Sequence, residues 1–331
     1  MPPTPTPTAA NRGAFAPLAT AAALLLALTA CGSPGEEGGD TEADASGAAF
    51  NTSPEQDRIR AEPVPEIAGL VPGEIRDSGR LTVGFSTGGA PPLNFYADDD
   101  ETLIGHETDI AQIVADKLDL ELDPRPTSWD NLFLGVESGQ TDVAISNVTV
   151  TEERKDLYDF ATYRIDTVSF EVTEGSEIEE ISEPADVAGL RIGVDAGTNQ
   201  EDILLRWDEE NQEAGLEATE ILYYESAADY YLALRSGRLD AWLGPTPSVN
   251  YHVETAGEST AVGTISGGGD IRADIAAMTR KDNGLVEALG AAVDSAIETG
   301  EYQEVLDRWA LGNEAVESSE INPQGLPREE E

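Results

Sequence analysis

A short stretch of the chain, "ESGQTDVAISNVTVTEER" at residues 137–154, concentrates side chains that could hold a small anion. Its middle predicts a buried strand over residues 142–145, entered from a helix that ends at Gly139. Hydroxyl, amide and guanidinium side chains follow this strand directly: Ser146, Asn147, Thr149, Thr151 and Arg154. Because a guanidinium matches a carboxylate bidentately, the stretch predicts a site for a small solute that carries a carboxylate. The alternative role for Arg154 is a weak surface salt bridge with a neighbouring acidic residue.

Strands that alternate with helices must position these groups. Residues 80–86 predict a first strand, and residues 108–120 predict a helix capped by Thr108 or Asp109. Residues 128–139 predict a second helix, with Ser128 as its cap. This alternation predicts an α/β fold with a largely parallel sheet.

A second strand end contributes to the same predicted site. An apolar run ends at Val194, and Gly197, Thr198 and Asn199 form the turn into the next helix. In open α/β sheets ligands bind beyond the carboxyl ends of strands, where helix N-termini favour anions. The turn at residues 197–199 is therefore expected to face the stretch around Ser146.

The chain contains an internal repeat of a helix, a Ser-Gly pair, an aspartate and a strand. The first copy is "LFLGVESGQTDVAIS" at residues 132–146, and the second is "YLALRSGRLDAWLG" at residues 231–244. Gly139 corresponds to Gly237, and Asp142 corresponds to Asp240. The repeat predicts two similar lobes, although chance reuse of a common helix–turn–strand connection is the alternative.

The N-terminus is typical of an exported lipoprotein. An apolar run ends at Leu28-Thr29-Ala30-Cys31, which resembles the lipobox of bacterial lipoproteins. We expect residues 1–30 to be a signal peptide and Cys31, the single cysteine of the chain, to be lipidated. Residues 31–74, rich in small, acidic and proline residues, are expected to be a disordered tether. An ordinary secretory signal is the alternative.

Composition and motifs argue against several other functions. The 65 acidic and 19 basic residues give a formal charge of −46, which repels nucleic acid. "GFSTG" at residues 84–88 precedes two prolines, whereas a nucleophile elbow leads into a helix. The only histidines, His106 and His252, are far apart in sequence, so a zinc site is not expected. We therefore predict no cofactor, no metal and no enzymatic activity.

Residues 80 to about 312 resemble the bacterial extracellular solute-binding proteins of family 3, the polar amino-acid branch of ABC importers. Four segments carry this resemblance: "PPLNFYADDDETLIGHETDIA", "TSWDNLFLGVESGQTDVAISNVTVTEER", "DFATY" and "DVAGLRIGVDAGT". The resemblance implies a two-lobed periplasmic-binding-protein-like fold of type II, with two crossing strands as the hinge. Lobe 1 would comprise residues 75–165 plus 268–312, and lobe 2 residues 166–267. A polar C-terminal tail, 313–331, would follow.

The resemblance also implies roles for single residues. Arg154 would bind the α-carboxylate of the ligand, and Trp129 would face the ligand's aliphatic part unless it is a core residue. Asp195 would line the side-chain pocket. The remaining implied contacts are Ser146 and Asn147 at the pocket floor, and Thr149, Thr198 and Asn199 beside the carboxylate.

Two positions depart from the family pattern. Ala90 stands where many members have an aromatic residue, and Pro245 stands near the aspartate that usually pairs with the ligand's ammonium group. Asp195 or Glu225 could take over that pairing, or the ligand could be an unusual one. Alternatively, the aromatic ring of Trp242, Tyr223 or Tyr224 could face the cationic nitrogen of the ligand.

The resemblance implies a monomeric receptor, lipid-anchored on the outer face of the cell membrane, that delivers an amino acid or a similar zwitterion to an ABC permease. Two alternatives stay open: a dehydratase-like enzyme on the same fold, and a solute-sensing protein for a membrane signalling receptor. The ligand, its affinity and the permease are not specified by the pattern.

Overall fold

Helices and strands alternate along most of the chain. The computed structural model describes residues 50–87 and 91–328. The α-helices are α1 Pro65–Ala68, α2 Gly73–Ser78, α3 His106–Lys117, α4 Trp129–Ser138, α5 Asn199–Glu213, α6 Ala227–Arg235, α7 Thr246–Ala256, α8 Val286–Thr299 and α9 Glu301–Arg308. The strands are β1 Arg80–Ser86, β2 Phe95–Tyr96, β3 Leu103–Ile104, β4 Glu121–Thr127, β5 Val143–Ala144, β6 Tyr158–Thr173, β7 Arg191–Val194, β8 Glu220–Tyr223, β9 Ala241–Pro245, β10 Ser259–Ser266 and β11 Ala273–Arg280. Short 3₁₀ turns lie at Arg154–Asp156, Pro184–Val187 and Gly312–Glu314.

The strand order divides the main sheet into two halves. The order is β4-β1-β5-β11-β6-β9-β7-β8, with β10 paired to β6. The β4-β1-β5 pairs of lobe 1 and the β8-β7-β9 pairs of lobe 2 are parallel. Each lobe encloses its own apolar core, one around Phe85 and Trp309 and the other around Phe170 and Ile192. The predicted two-lobed α/β fold is confirmed.

Two strand segments run from one lobe to the other. The first half of β6 pairs with β11, and its second half pairs with β10, with the change at Asp166 and Thr167. β10 and β11 are joined by residues 267–272, so both crossings of the chain meet at this point. Gly267 lies so close to the carboxyl group of Asp166 that a Cβ atom would collide with it. These are the two crossing strands of a type II hinge.

The internal repeat predicted from the sequence is present in the structure. Gly139 and Gly237 both adopt left-handed backbone angles, with φ of 75° and 68°. The Asp142 carboxylate accepts from the Thr82 amide at 2.8 Å, and the Asp142 amide donates back to the Thr82 carbonyl at 3.0 Å. Asp240 exchanges the same two bonds with Arg191, at 2.8 and 2.9 Å. Each aspartate therefore fixes its strand beside the next parallel strand of its lobe.

The helix predicted over residues 128–139 is confirmed as α4, with Gly139 at its C-cap. The predicted start of α3 at Thr108 or Asp109 is wrong. This helix begins at His106, after Gly105 with φ of 124°.

The prediction of a disordered tether is wrong for residues 50–74, whereas Cys31 and the signal peptide lie outside the described residues. Arg58 pairs with Asp109 at 2.7 Å, and Arg60 holds Asp116 through two bonds of 2.7 Å. Both aspartates project from α3 and are almost fully buried. Composition cannot reveal such pairing, because the partners are about 50 residues away.

The polar C-terminal segment largely lacks regular structure, but it packs on lobe 1. Glu314 is fully buried and pairs with Arg164 of β6. Further on, the Phe160 amide donates to Asn322 at 2.9 Å, and the Leu326 amide donates to the Val150 carbonyl at 2.9 Å. Within residues 50–87 and 91–328, no helix has both the length and the apolar character required to span a membrane.

Candidate ligand-binding site

The guanidinium of Arg154 lies between the two lobes. It donates from Nη1 to the Thr149 carbonyl of lobe 1 at 2.8 Å and from Nη2 to the Gly197 carbonyl of lobe 2 at 3.0 Å. Burial lowers its pKa from the ordinary value, while the negative charges of Asp202 and Asp166 act in the opposite direction. Arginine stays protonated in proteins, so this group brings a fixed positive charge to the boundary between the lobes.

Aromatic rings of α4 hold the guanidinium in place. Its central carbon lies 5.6 Å from the Trp129 ring centroid and 5.1 Å from that of Phe133, within cation–π range. Trp129 also donates from its indole nitrogen to the Gly197 carbonyl at 3.3 Å. Trp129 is half-buried and thus lies at the lobe boundary rather than deep in the core. Arg154, Trp129 and Gly197 together form the Arg154 cluster.

A second group of predicted residues forms a buried polar connection across the hinge. The Thr149 hydroxyl contacts Asp166 at 2.7 Å and Asn199 at 3.0 Å. The Asn199 amide nitrogen lies 2.9 Å from the Asp166 carboxylate and 2.6 Å from the Gly267 carbonyl. Asn199 is the first residue of α5, so this network joins lobe 2 to lobe 1. The side chains of Thr149 and Asn199 thus serve the hinge in this structure.

Burial raises the pKa of Asp166 to about 6. The hydrogen bonds from Thr149 and Asn199, and the charge of Arg164, only partly offset this cost. One carboxyl oxygen of Asp166 is buried without a hydrogen-bond partner in the described part of the chain. Asp166 is therefore easier to protonate than an exposed aspartate.

Ser146 and Asn147 are fixed by lobe 1. The Ser146 hydroxyl accepts from the Ser86 amide at 2.8 Å and from the Asn94 side chain at 3.3 Å. Asn147 has a left-handed backbone with φ of 52°, and its side-chain oxygen accepts from the buried Arg164 guanidinium. These contacts fix the residues that follow β5 within lobe 1.

Asp195 and Thr198 lie in the turn after β7. Thr198 caps α5, accepting from the Glu201 amide at 3.4 Å and donating to the Asp195 carbonyl at 2.7 Å. Burial, followed by the nearby charge of Glu225, raises the pKa of Asp195 to about 7. A cation placed here would be stabilised by the ionised form of this carboxyl group.

The described residues contain no group of three or more histidine, cysteine, aspartate or glutamate side chains arranged to hold a metal ion. The side chains around Arg154 and Asp195 offer hydrogen bonding and charge pairing. The arrangement supports non-covalent recognition of a small charged solute.

Residues 81–312 match the family model of the bacterial extracellular solute-binding proteins, family 3. The chain belongs to this family. The family prediction made from the sequence is confirmed. A relative, the L-cystine-binding protein TcyJ of Escherichia coli (strain K12), is 31% identical over 238 residues, or 71% of this chain and 84% of TcyJ. The arginine-binding protein ArgT of Corynebacterium glutamicum is 29% identical over 272 residues, or 82% of this chain and 87% of ArgT.

Among solved structures, an ancestral arginine-binding protein bound to arginine superposes with a TM-score of 0.61 at 26% identity. The match covers 70% of this chain and 98% of the ancestral protein. It agrees with the two-lobed architecture of this family 3 solute-binding protein.

The position of Pro245 narrows the options for the ligand's cationic group. Pro245 ends β9 and pairs with Val168 of β6. Its side chain carries no charge, and its backbone has no N–H donor. Trp242 is almost fully buried and stacks on Tyr230 with ring centroids 3.7 Å apart, which makes it a core residue. Ala90 lies outside the described residues. Asp195 is then the carboxyl group nearest in sequence to the turn at Gly197 that contacts Arg154.

Sequence reasoning missed two components of the site. Phe133 lies one helical turn after Trp129, a spacing that could have predicted its contact with Arg154. Asp166 carries no local signal, because its role depends on contacts with Thr149 and Asn199 made only in the folded chain.

Proposed function

We propose that this family 3 solute-binding protein is an extracellular receptor of an ABC importer and binds an L-amino acid between its lobes. The observation that carries the proposal is the Arg154 guanidinium, which donates to one carbonyl from each lobe. A guanidinium has five N–H donors, more than these two carbonyls accept, so a ligand carboxylate can join the same group. Binding there would connect both lobes through one charged centre.

The proposed ligand class rests on Asp195, in the turn after β7. Asp195 supplies a carboxyl group in lobe 2, with Glu225 nearby, and both favour a cationic partner. TcyJ is named for L-cystine and ArgT for arginine, and both ligands carry ammonium groups. We therefore propose an amino acid whose carboxylate binds Arg154 and whose ammonium or side-chain cation lies near Asp195. In this assignment Asp195 replaces the carboxylate that Pro245 cannot provide.

Ligand binding would act by shifting an equilibrium between open and closed lobes. A ligand that contacts both lobes has a higher affinity for the closed state and therefore favours it. Closure excludes water, which strengthens the attraction between Arg154 and the carboxylate. The proposal includes no catalytic step, in line with the binding-protein names of TcyJ and ArgT.

The test is a thermal-shift screen of the purified chain against the standard L-amino acids, L-cystine and L-ornithine. We expect arginine, ornithine, lysine or cystine to raise the melting temperature with concentration, as ligands of the native state do. Acidic amino acids should have no effect. A screen in which no amino acid raises the melting temperature would refute the proposed ligand class.

We also propose that Cys31 carries the lipid anchor and that a membrane permease is the partner. Metabolic labelling with a palmitate analogue should mark the wild-type chain, and Cys31→Ser should abolish the label. An unlabelled wild-type chain would contradict the anchor without affecting the proposed ligand site.

A further inference from the structure

Residues 50–60, called the strap below, run along lobe 1 next to the segment predicted to lead to the lipid anchor. Arg58 pairs with Asp109 and donates to the Leu103 carbonyl at 2.6 Å. Arg60 holds Asp116 at two points. The side chains of both aspartates are 6% exposed or less, so these pairs are shielded from water on one side. The strap is therefore attached firmly to lobe 1.

The strap also reaches lobe 2 through a single aromatic side chain. The Phe50 ring lies 4.9 Å from the ring of Tyr251, which belongs to α7 of lobe 2. On its other side Phe50 stacks on Trp309 of lobe 1 at 6.0 Å. A cavity of about 30 Å³ remains beside Phe50, Tyr251 and Trp309. Phe50 thus lies between the two lobes at this point, with one aromatic neighbour on each side.

The Arg58 side chain of the strap and the Trp309 ring share one buried carboxylate, that of Asp109. Asp109 accepts from the Trp309 indole nitrogen at 2.8 Å, in addition to its pair with Arg58. Arg308 donates to the Asp57 carbonyl at 2.6 Å. The ring that supports Phe50 is therefore held by the same groups that hold the strap.

We propose that the strap is a clasp that stabilises the closed arrangement of the lobes. In the described part of the chain, the hydrogen bonds that the strap makes outside itself all go to lobe 1, so opening breaks the aromatic contact with Tyr251 and none of these hydrogen bonds. Losing one aromatic pair corresponds to about a threefold to tenfold change in the closed-to-open ratio. The clasp slows ligand release. The effect on release rests on the proposed function, whereas the effect on lobe position does not.

The lobe position can be measured without any ligand. The full chain carrying Cys31→Ser has no cysteine, so Asp77→Cys in lobe 1 and Glu213→Cys in lobe 2 can be spin-labelled selectively at exposed sites. We expect Phe50→Ala to move the distance distribution between the labels toward the open form. An unchanged distribution would overturn the clasp even if no ligand were known.

The second measurement is the dissociation rate of L-arginine, used as the probe. Phe50→Ala should raise the rate about threefold to tenfold, and Tyr251→Ala should raise it at least as much, because the Tyr251 ring also lies 6.3 Å from Phe95 of lobe 1. The double variant should release L-arginine no faster than Tyr251→Ala alone. Ile59→Ala is the matched control, because Ile59 belongs to the strap and packs on the lobe 1 core. It should lower stability and leave the rate unchanged. Additive effects of the two aromatic variants, or an equal effect of Ile59→Ala, would contradict the proposal. Failure of L-arginine to bind would remove arginine from the proposed ligands and leave the distance test decisive for the clasp.

Discussion

Arg154→Ala should weaken ligand binding strongly while leaving the fold intact. The substitution removes the two hydrogen bonds to Thr149 and Gly197 and the positive charge that we propose faces a ligand carboxylate. Truncating one half of a desolvated charge pair costs ~2–5 kcal/mol. Because Arg154 is half-buried rather than fully enclosed, we expect the lower part of this range. About 2–3 kcal/mol corresponds to roughly a 30- to 150-fold rise in Kd.

Isothermal titration calorimetry with L-arginine and L-cystine measures this change. The matched control is Arg80→Ala, which removes the same charge from an exposed site of lobe 1, where Arg80 pairs with Glu121 at 3.8 Å. Arg80→Ala should leave Kd within a factor of two, since exposed pairs contribute ~0–1 kcal/mol even to stability. If Arg154→Ala and Arg80→Ala bind the ligand equally well, the assignment of Arg154 is wrong.

Three further predictions concern titration and buried charge. Because the pKa of Asp195 is raised to about 7, affinity for L-arginine should rise about tenfold between pH 6 and pH 8 as the carboxyl group ionises, and Asp195→Asn should flatten this titration curve. Asp166, with its pKa raised to about 6, binds a proton more tightly in the folded than in the unfolded state, so its contribution to stability falls as pH rises from 4 to 6. The free energy of unfolding of Asp166→Asn, measured with urea, should therefore rise by ~2–3 kcal/mol relative to that of wild type between pH 4 and pH 6. Parallel pH profiles of the two proteins would contradict this. Arg164→Met should lower the free energy of unfolding by ~3–5 kcal/mol, since it leaves Glu107 and Glu314 buried without their shared partner. If Arg164→Met unfolds at the same denaturant concentration as wild type, this network contributes nothing to the free energy of unfolding.

Local patterns predicted the fold because its repeated unit is local in sequence. The left-handed glycine, the aspartate and the strand follow one another within eight residues in each lobe. Asp142 and Asp240 then make the same backbone pairing in their two sheets. Because this unit packs in the same way in both lobes, the same sequence pattern occurs twice in the chain.

The strap and the hinge network could not be predicted in this way. Arg58 stands in a segment of low apolar content, and its partner Asp109 lies 51 positions later in α3. Asp166 acquires its raised pKa from burial among groups brought together only by folding. Long-range pairing of charged residues leaves no periodic signal, so composition alone predicted disorder where the chain is ordered.

The candidate site could be predicted only in part, because some of its side-chain contacts are made at long range. Arg154 belongs to a compact motif, and its chemistry follows from residue type. Thr149 and Asn199 were also placed near it, but their side chains bond to Asp166 and form part of the hinge. The hydrogen-bond partner of a hydroxyl or amide side chain depends on the folded geometry, which the spacing of residues in the sequence does not specify.

The most direct test of the central claim compares L-arginine with its carboxamide, which lacks the ligand's negative charge. Calorimetric Kd values are needed for both compounds with wild type and Arg154→Ala. We predict that wild type binds the carboxylate at least 30-fold more tightly than the amide, and that Arg154→Ala binds both about equally, in line with a ~2 kcal/mol charge pair. If Arg154→Ala discriminates between them as strongly as wild type does, the carboxylate binds elsewhere and the account fails.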